Sequence, residues 1–167
     1  MFIKVFSMSV IGMESYPVSV EVDISQGLPQ FATVGLPDAS VKESRDRIKA
    51  AIKNSGYAFP RNHVTVNLAP ADIRKEGTGF DLPIAVGILA AESFIEDAAL
   101  QGCLFIGELS LDGSIKGVRG VLPAAFKARE SGARSIFVPE ENAAEAAMVE
   151  GINVYGVKTL PDVVEFL

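Results

Sequence analysis

The stretch Asp72-Ile-Arg-Lys-Glu-Gly-Thr-Gly-Phe-Asp81-Leu-Pro-Ile-Ala-Val-Gly-Ile-Leu-Ala-Ala91 decides how the chain is read. A charged loop carrying Gly77 and Gly79 runs straight into a segment that is apolar on nearly every side, as a fully buried helix is. Asp81 is placed to cap that helix, and Pro83 falls in its first turn, where a missing N–H costs nothing. The two glycines let the loop adopt backbone geometry closed to other residues and lie close to a neighbour. Such loops often hold a nucleophile or a phosphate, because helix N-termini favour negative charge. Here the reactive group that the loop should carry is missing, and that absence shapes the functional reading.

Outward from this stretch, the 167 residues have the length of one domain, read as 1–167. With 49% hydrophobic and 22% charged residues the composition is that of an ordinary globular protein. The formal charge of −6 argues against broad, non-specific binding of nucleic acid, while leaving room for a local basic patch. The single cysteine, Cys103, excludes an internal disulfide and points to a cytoplasmic setting. It lies in an apolar run and is expected to be a buried packing residue. One histidine, His63, and one cysteine do not make a metal site, and no metal is expected. The N-terminus alternates like a strand and has no secretory pattern. The longest apolar run, Leu82 to Ala91, is far shorter than the ~20 residues needed to cross a bilayer.

Residues 2–12 and 15–24 predict a hairpin, with Val18, Val20, Val22 and Ile24 alternating against Ser19, Glu21 and Asp23 across a sheet with one wet face. A strand at Phe31–Leu36 follows. A helix is expected from near Asp38, with Ser40 and Glu43 at capping-box spacing and Gly56 ending it. Val41, Ser44, Ile48, Ala51, Ile52 and Ser55 form its inner face, and Lys42, Arg45, Lys49 and Lys53 a basic stripe beside it. His63–Ala69 and Cys103–Leu111 read as strands, and Asp112-Gly113 as a tight hairpin into Ile115. A helix to Glu130, a strand Ser135–Val138, a helix over Glu140–Glu150, a strand Asn153–Val157 and a closing helix Leu160–Leu167 complete the pattern. The fold class is α+β, with βαβ character late in the chain.

The tests for chemistry mostly fail. A phosphate loop needs Gly-Lys-Ser/Thr, whereas the order here is Lys75-Glu-Gly77-Thr78-Gly79-Phe80-Asp81, with carboxylates that repel a nucleotide. Thr78 is the only hydroxyl in the loop and is read first as an intraloop hydrogen-bonder and second as a nucleophile. Glu76 and Asp81 are explained by a solvated charge and a helix cap. Arg61, Arg74 and Lys75 flank one strand and are expected to converge at one end of the sheet; with Lys42, Arg45 and Lys49 nearby they would form a basic face for DNA.

Two blocks carry a resemblance. They are Gly35-Leu-Pro-Asp-Ala-Ser-Val-Lys42-Glu-Ser-Arg45-Asp-Arg47-Ile and Val66-Asn-Leu-Ala-Pro-Ala-Asp72 continuing through Lys75, Gly77 and Asp81 to Leu-Pro. The chain resembles, over essentially its whole length, the N-terminal domain of the ComM/YifB family, the magnesium chelatase-related competence proteins. That resemblance implies a Lon-protease-like fold, the one named after domain two of a small-subunit ribosomal protein and similar also to the C-terminal domain of RadA: a mixed sheet packed with helices. It implies a parent protein that is a hexameric AAA+ ATPase and DNA helicase, promoting branch migration in natural transformation and homologous recombination.

In Lon-like domains a serine opens the buried helix and a lysine partner lies in a later one. Laid onto this sequence, those positions fall at Gly79 and at or near Ala124, so the dyad is lost and the domain is expected to be non-catalytic. No cofactor is expected in these residues; ATP and Mg²⁺ belong to an AAA+ domain expected beyond residue 167, and the magnesium chelatase label is read as a likeness in that motor. The expected partners are DNA and further copies of the chain in a ring. The rival readings are a divergent Lon-like serine/threonine peptidase using Thr78, and a small-molecule kinase of the same broad fold.

Overall fold

The computed structural model describes residues 1–167. Strands β1 (Phe2–Ile11) and β2 (Glu14–Ser25) pair antiparallel from Phe2↔Asp23 to Ile11↔Glu14, the expected hairpin. Val18, Val20, Val22 and Ile24 are buried while Asp23 is exposed, as the alternation requires. β3 (Gln30–Val34), helix α1 (Ala39–Asn54) and β4 (His63–Ala69) follow. Leu36 leaves the strand with φ 57, so β3 stops earlier than predicted.

β4 pairs antiparallel with β2 and parallel with β3. β3, α1 and β4 therefore form a parallel crossover unit in the front half of the chain, where local alternation predicted hairpin connections. A helix between two strands carries the chain back to the starting end of the sheet, and this makes parallel pairing possible.

Helix α2 (Asp81–Ala91) is followed by a 3-10 turn (Asp97–Leu100), then β5 (Cys103–Phe105), β6 (Glu108–Leu109) and β7 (Ile115–Lys116). The strand expected over Cys103–Leu111 is broken at Gly107, whose N–H donates to Gly79 O (3.0 Å) and whose carbonyl accepts from Leu82 (3.0 Å). The backbone is thus diverted from the sheet onto the start of α2. The hairpin signal at Asp112-Gly113 is real, but the loop spans the residues between Leu109 and Ile115 rather than two.

α3 (Val121–Glu130), β8 (Ser135–Pro139), α4 (Glu140–Ala146), β9 (Asn153–Val157) and α5 (Leu160–Phe166) complete the chain. α4 ends four residues short of the expected Glu150, because Met148 and Val149 turn back to Glu145 and Ala146.

The main sheet has seven strands in the order β3-β4-β2-β1-β5-β8-β9, with β6 and β7 a separate ribbon. Apolar side chains from alternate strand positions feed two clusters. Ile3, Val5, Val20, Val22, Val64 and Val66 pack with α1, α2 and α5. Met8, Leu104, Ile106 and Ile136 pack with α3 and α4.

Every residue of α2 is buried, which explains why its sequence shows no polar stripe. Gly87 lets this helix lie directly on the sheet: a Cβ there would stand 2.6 Å from Val22 Cγ2. No helix is long and apolar enough to cross a membrane.

Candidate functional site

The glycine loop between β4 and α2 is pinned from four directions. The Lys75 N–H donates to Leu36 O (3.2 Å), and the Asp38 N–H to Lys75 O (3.0 Å). The Ser9 hydroxyl donates to Arg74 O (2.9 Å). Asp38 accepts from Val41 N–H at 2.8 Å and from Gly77 N–H at 3.1 Å, so one carboxylate caps α1 and holds the loop. The cap of α1 is Asp38 and not the Ser40–Glu43 box; the Ser40 carbonyl instead accepts from Arg47 (3.1 Å). Gly77 sits at φ 81, a conformation that favours glycine.

Between this loop and the loop before α3 lies a cleft of about 740 Å³, bordered by Asp38, Glu76, Thr78, Gly79, Glu108 and Arg119. The Thr78 hydroxyl donates to Glu108 Oε2 at 2.7 Å, so its hydrogen-bond partner lies outside the loop, on β6.

Asp81 does not cap α2. The residue preceding the helix is Phe80, with no side-chain cap, and Asp81 is 1% exposed. Its Oδ2 accepts from Arg47 Nε (2.8 Å) and from Leu109 N–H (3.0 Å), and its Oδ1 from Arg47 Nη2 (3.0 Å). The forked pair ties α1, α2 and β6 together behind the cleft. Burial pushes the Asp81 carboxyl above its ordinary value, while Arg47 and the Leu109 amide pull it down. The same contact raises the Arg47 guanidinium.

Of the positions expected to hold a nucleophile and its amine, Gly79 lies on the cleft wall and Ala124 is buried. A Cβ on Gly79 would stand 3.1 Å from Ile106 Cγ1. Ala124 is fully buried in the apolar cluster that also contains Met8, Leu104 and Ile106. Lys127, one turn further along α3, faces outward and pairs with Glu130 at 3.8 Å. A side chain at position 79 would need Ile106 to give by a few tenths of an ångström.

The basic residues divide into two groups instead of converging. Arg61 precedes β4, whereas Arg74 and Lys75 follow it, so they lie at opposite ends of a strand roughly 20 Å long. Lys75 is buried completely and donates to Pro70 O, which removes it from any exposed DNA-binding face. Arg74 is exposed and pairs with Glu76 at 3.1 Å. Lys42, Arg45, Lys49 and Lys53 are exposed along α1, as the stripe predicted. Arg45 donates to Phe31 O (3.1 Å), and Lys49, Lys53 and Arg61 line one groove with Phe31 and Phe59.

Sequence reading missed Arg47, Ile106, Phe31 and Phe59. For the aromatics the available signal was Tyr57-Ala-Phe59-Pro-Arg61, rings interleaved with a cation just after the basic stripe. Cys103, expected to be buried, is only half-buried, and burial pushes its thiol up.

A family model described as subunit ChlI of Mg-chelatase matches residues 20–142. The competence protein ComM of Haemophilus influenzae is 45% identical over 163 residues, which are 98% of this chain and 32% of that protein. The chain belongs to the ComM/YifB family. YifB of Salmonella typhimurium is 44% identical over 163 residues, 98% of this chain and 32% of YifB. Lon protease 2 of Bacillus subtilis is more distant, 26% identical over 147 residues, 83% of this chain and 26% of the protease. The chain spans about a third of the length of the ComM and YifB relatives it matches. The chelatase likeness falls within this chain, at residues 20–142, and so is not confined to a motor elsewhere, as the sequence reading had it.

In this ComM/YifB chain the glycine loop does not fit ATP with Mg²⁺. The lysine that would meet phosphates is turned inward to a backbone carbonyl, and Asp38, Glu76 and Glu108 border the cleft. Burial holds the Lys75 ammonium below its ordinary 10.5, with Asp72 opposing. Between that lowered value and 10.5 the unfolded chain binds more protons than the folded one, so stability rises with pH across the window. The stability difference between wild type and Lys75→Met, followed by urea denaturation from neutral pH to about 10.5, is expected to move in favour of the wild type as pH rises. A difference independent of pH would mean that Lys75 titrates as it does in water.

Proposed function

We propose that these residues form a non-catalytic, Lon-like domain at the N-terminus of a hexameric AAA+ ATPase. The fold is that of domain two of the small-subunit ribosomal protein, and the 167 residues are one domain. The observation that carries the reading is the lack of reactive side chains: glycine at position 79 borders the cleft beside Ile106, and alanine at position 124 is buried in an apolar cluster. Nucleophilic hydrolysis needs a side chain that can attack and a base that can take its proton. Neither position supplies one. What persists is the loop, held by Asp38, Ser9 and the Leu36 backbone, and this suits a part that keeps its shape for assembly.

The parent protein is proposed to act as a DNA helicase in branch migration, with ATP and Mg²⁺ bound by its motor, as the resemblance to ComM supports. Within it, this domain supports ring assembly and guides DNA along the exposed cations of α1, which Lys42, Arg45 and Lys49 present on one stripe.

A second reading has one observation in its favour. Thr78 and Glu108 are hydrogen-bonded at the cleft, a hydroxyl beside a carboxylate. Incubating the chain with fluorescently labelled unfolded casein separates the two. No cleavage is expected from either the wild type or Thr78→Ala; cleavage lost in Thr78→Ala would establish a peptidase.

A further inference from the structure

A second concavity of about 740 Å³ lies at the opposite end of β3 and β4 from the glycine loop. Its walls are the C-terminal half of α1, the start of β3 and the loop entering β4. Lys49, Lys53 and Arg61 supply three cations, and Gln30 and Asn62 two amides. None of the 12 lining residues is acidic, in a chain with 21 carboxylates against 15 lysines and arginines. Phe31 and Phe59 stack at 5.8 Å between centroids with 18° between planes, and Lys49 Nζ lies 5.9 Å from the Phe59 centroid. Arg45 ties the Phe31 backbone to α1, so the aromatic shelf is fixed to a helix and an edge strand. Burial, and secondarily the charge of Glu165, push the Tyr57 hydroxyl up.

We propose that this groove binds a short run of single-stranded nucleic acid, with bases stacking on the Phe31–Phe59 shelf and phosphates held by Lys49, Lys53 and Arg61. The inference deepens the DNA-guiding role proposed above and rests on it. Stacking needs exposed base faces, which a duplex hides, and cations without sequence-reading partners suit a backbone. An acidic peptide would use the cations but leave the rings without a flat partner. A mononucleotide has the right chemistry but offers one phosphate group to three cations.

The test is fluorescence anisotropy of this chain with a labelled oligothymidylate of about 12 nucleotides, against its duplex with oligoadenylate, through a salt titration. The single strand is expected to bind more tightly than the duplex, with a log–log salt slope near −2 for three phosphate contacts. Phe59→Leu, which keeps apolar volume and removes the ring, is expected to weaken binding about tenfold without changing the slope. Lys49→Ala with Arg61→Ala, both at exposed positions, should make the slope shallower. Thermal unfolding confirms that each variant is folded.

Equal affinity for duplex and single strand, or indifference to Phe59→Leu, overturns the groove while leaving DNA guidance by α1 standing. Polyglutamate or thymidine monophosphate competing as well as the oligonucleotide overturns it in favour of a peptide or a mononucleotide. Binding to neither DNA form at low salt overturns both the groove and DNA contact by these residues, and leaves the non-catalytic reading untouched.

Discussion

Arg47→Ala is expected to destabilise the protein by about 3–5 kcal/mol, the range for removing one partner of a buried ion pair. Asp81, 1% exposed with the pair intact, would then keep only the Leu109 N–H at 3.0 Å to support its charge. The reverse change, Asp81→Ala, should cost less: Arg47 is 21% exposed and can turn toward water, so the uncompensated loss is mainly the Leu109 amide. The asymmetry is the informative part, because a pair that merely decorated the surface would show neither cost nor order.

The pH dependence has a definite sign. Burial already raises the Asp81 carboxyl above 3.8, and without Arg47 it rises further, so folded Arg47→Ala binds a proton that the unfolded chain does not. Stability of that variant should therefore increase as pH falls toward 3.8 relative to wild type, and the Arg47→Ala penalty should shrink. Urea denaturation at several pH values measures this. A penalty that grows on acidification would mean that Asp81 stays ionised without its partner.

This pair also shows where the sequence was readable and where it was not. α2 was evident from its unbroken apolar run, and the Asp81 side chain looked like a cap because caps are local. Its real partner lies 34 residues away on α1, and no spacing rule connects the two. Lys75 was misread for the same reason: amid Arg-Lys-Glu-Gly a lysine looks solvated, yet the turn at Pro70 presents a carbonyl that draws it inward. Strands β1, β2 and β4 were legible because alternation is fixed by each strand's own two faces. The parallel pairing of β3 with β4 was hidden, since it depends on where α1 returns the chain. In the cleft, the glycine at position 79 was legible as a residue identity. The approach of Ile106 to it was not, because that contact joins residues far apart in the sequence.

Ala124→Lys carries the largest expected penalty. Its position is fully buried, in the apolar cluster that also holds Met8, Leu104, Ile106 and Ile136. A lysine buried in such surroundings has its pKa depressed by about 3–5 units, which corresponds to roughly 4–5 kcal/mol at pH 7, the ceiling being the cost of folding it neutral. Steric overpacking adds to this. Gly79→Ser alone is milder, because the Cγ1 of Ile106, 3.1 Å from the new Cβ, must shift by a few tenths of an ångström. The pair of substitutions that would restore a hydroxyl and an amine is thus expected to unfold the protein, not to revive a hydrolase. Chemical denaturation reads the cost, and a casein assay reads the activity. A folded Gly79→Ser/Ala124→Lys variant that cleaves casein would show that the pocket is merely unarmed. A protein that melts at room temperature would show that the apolar cluster around Ala124 does not accept an amine at that position.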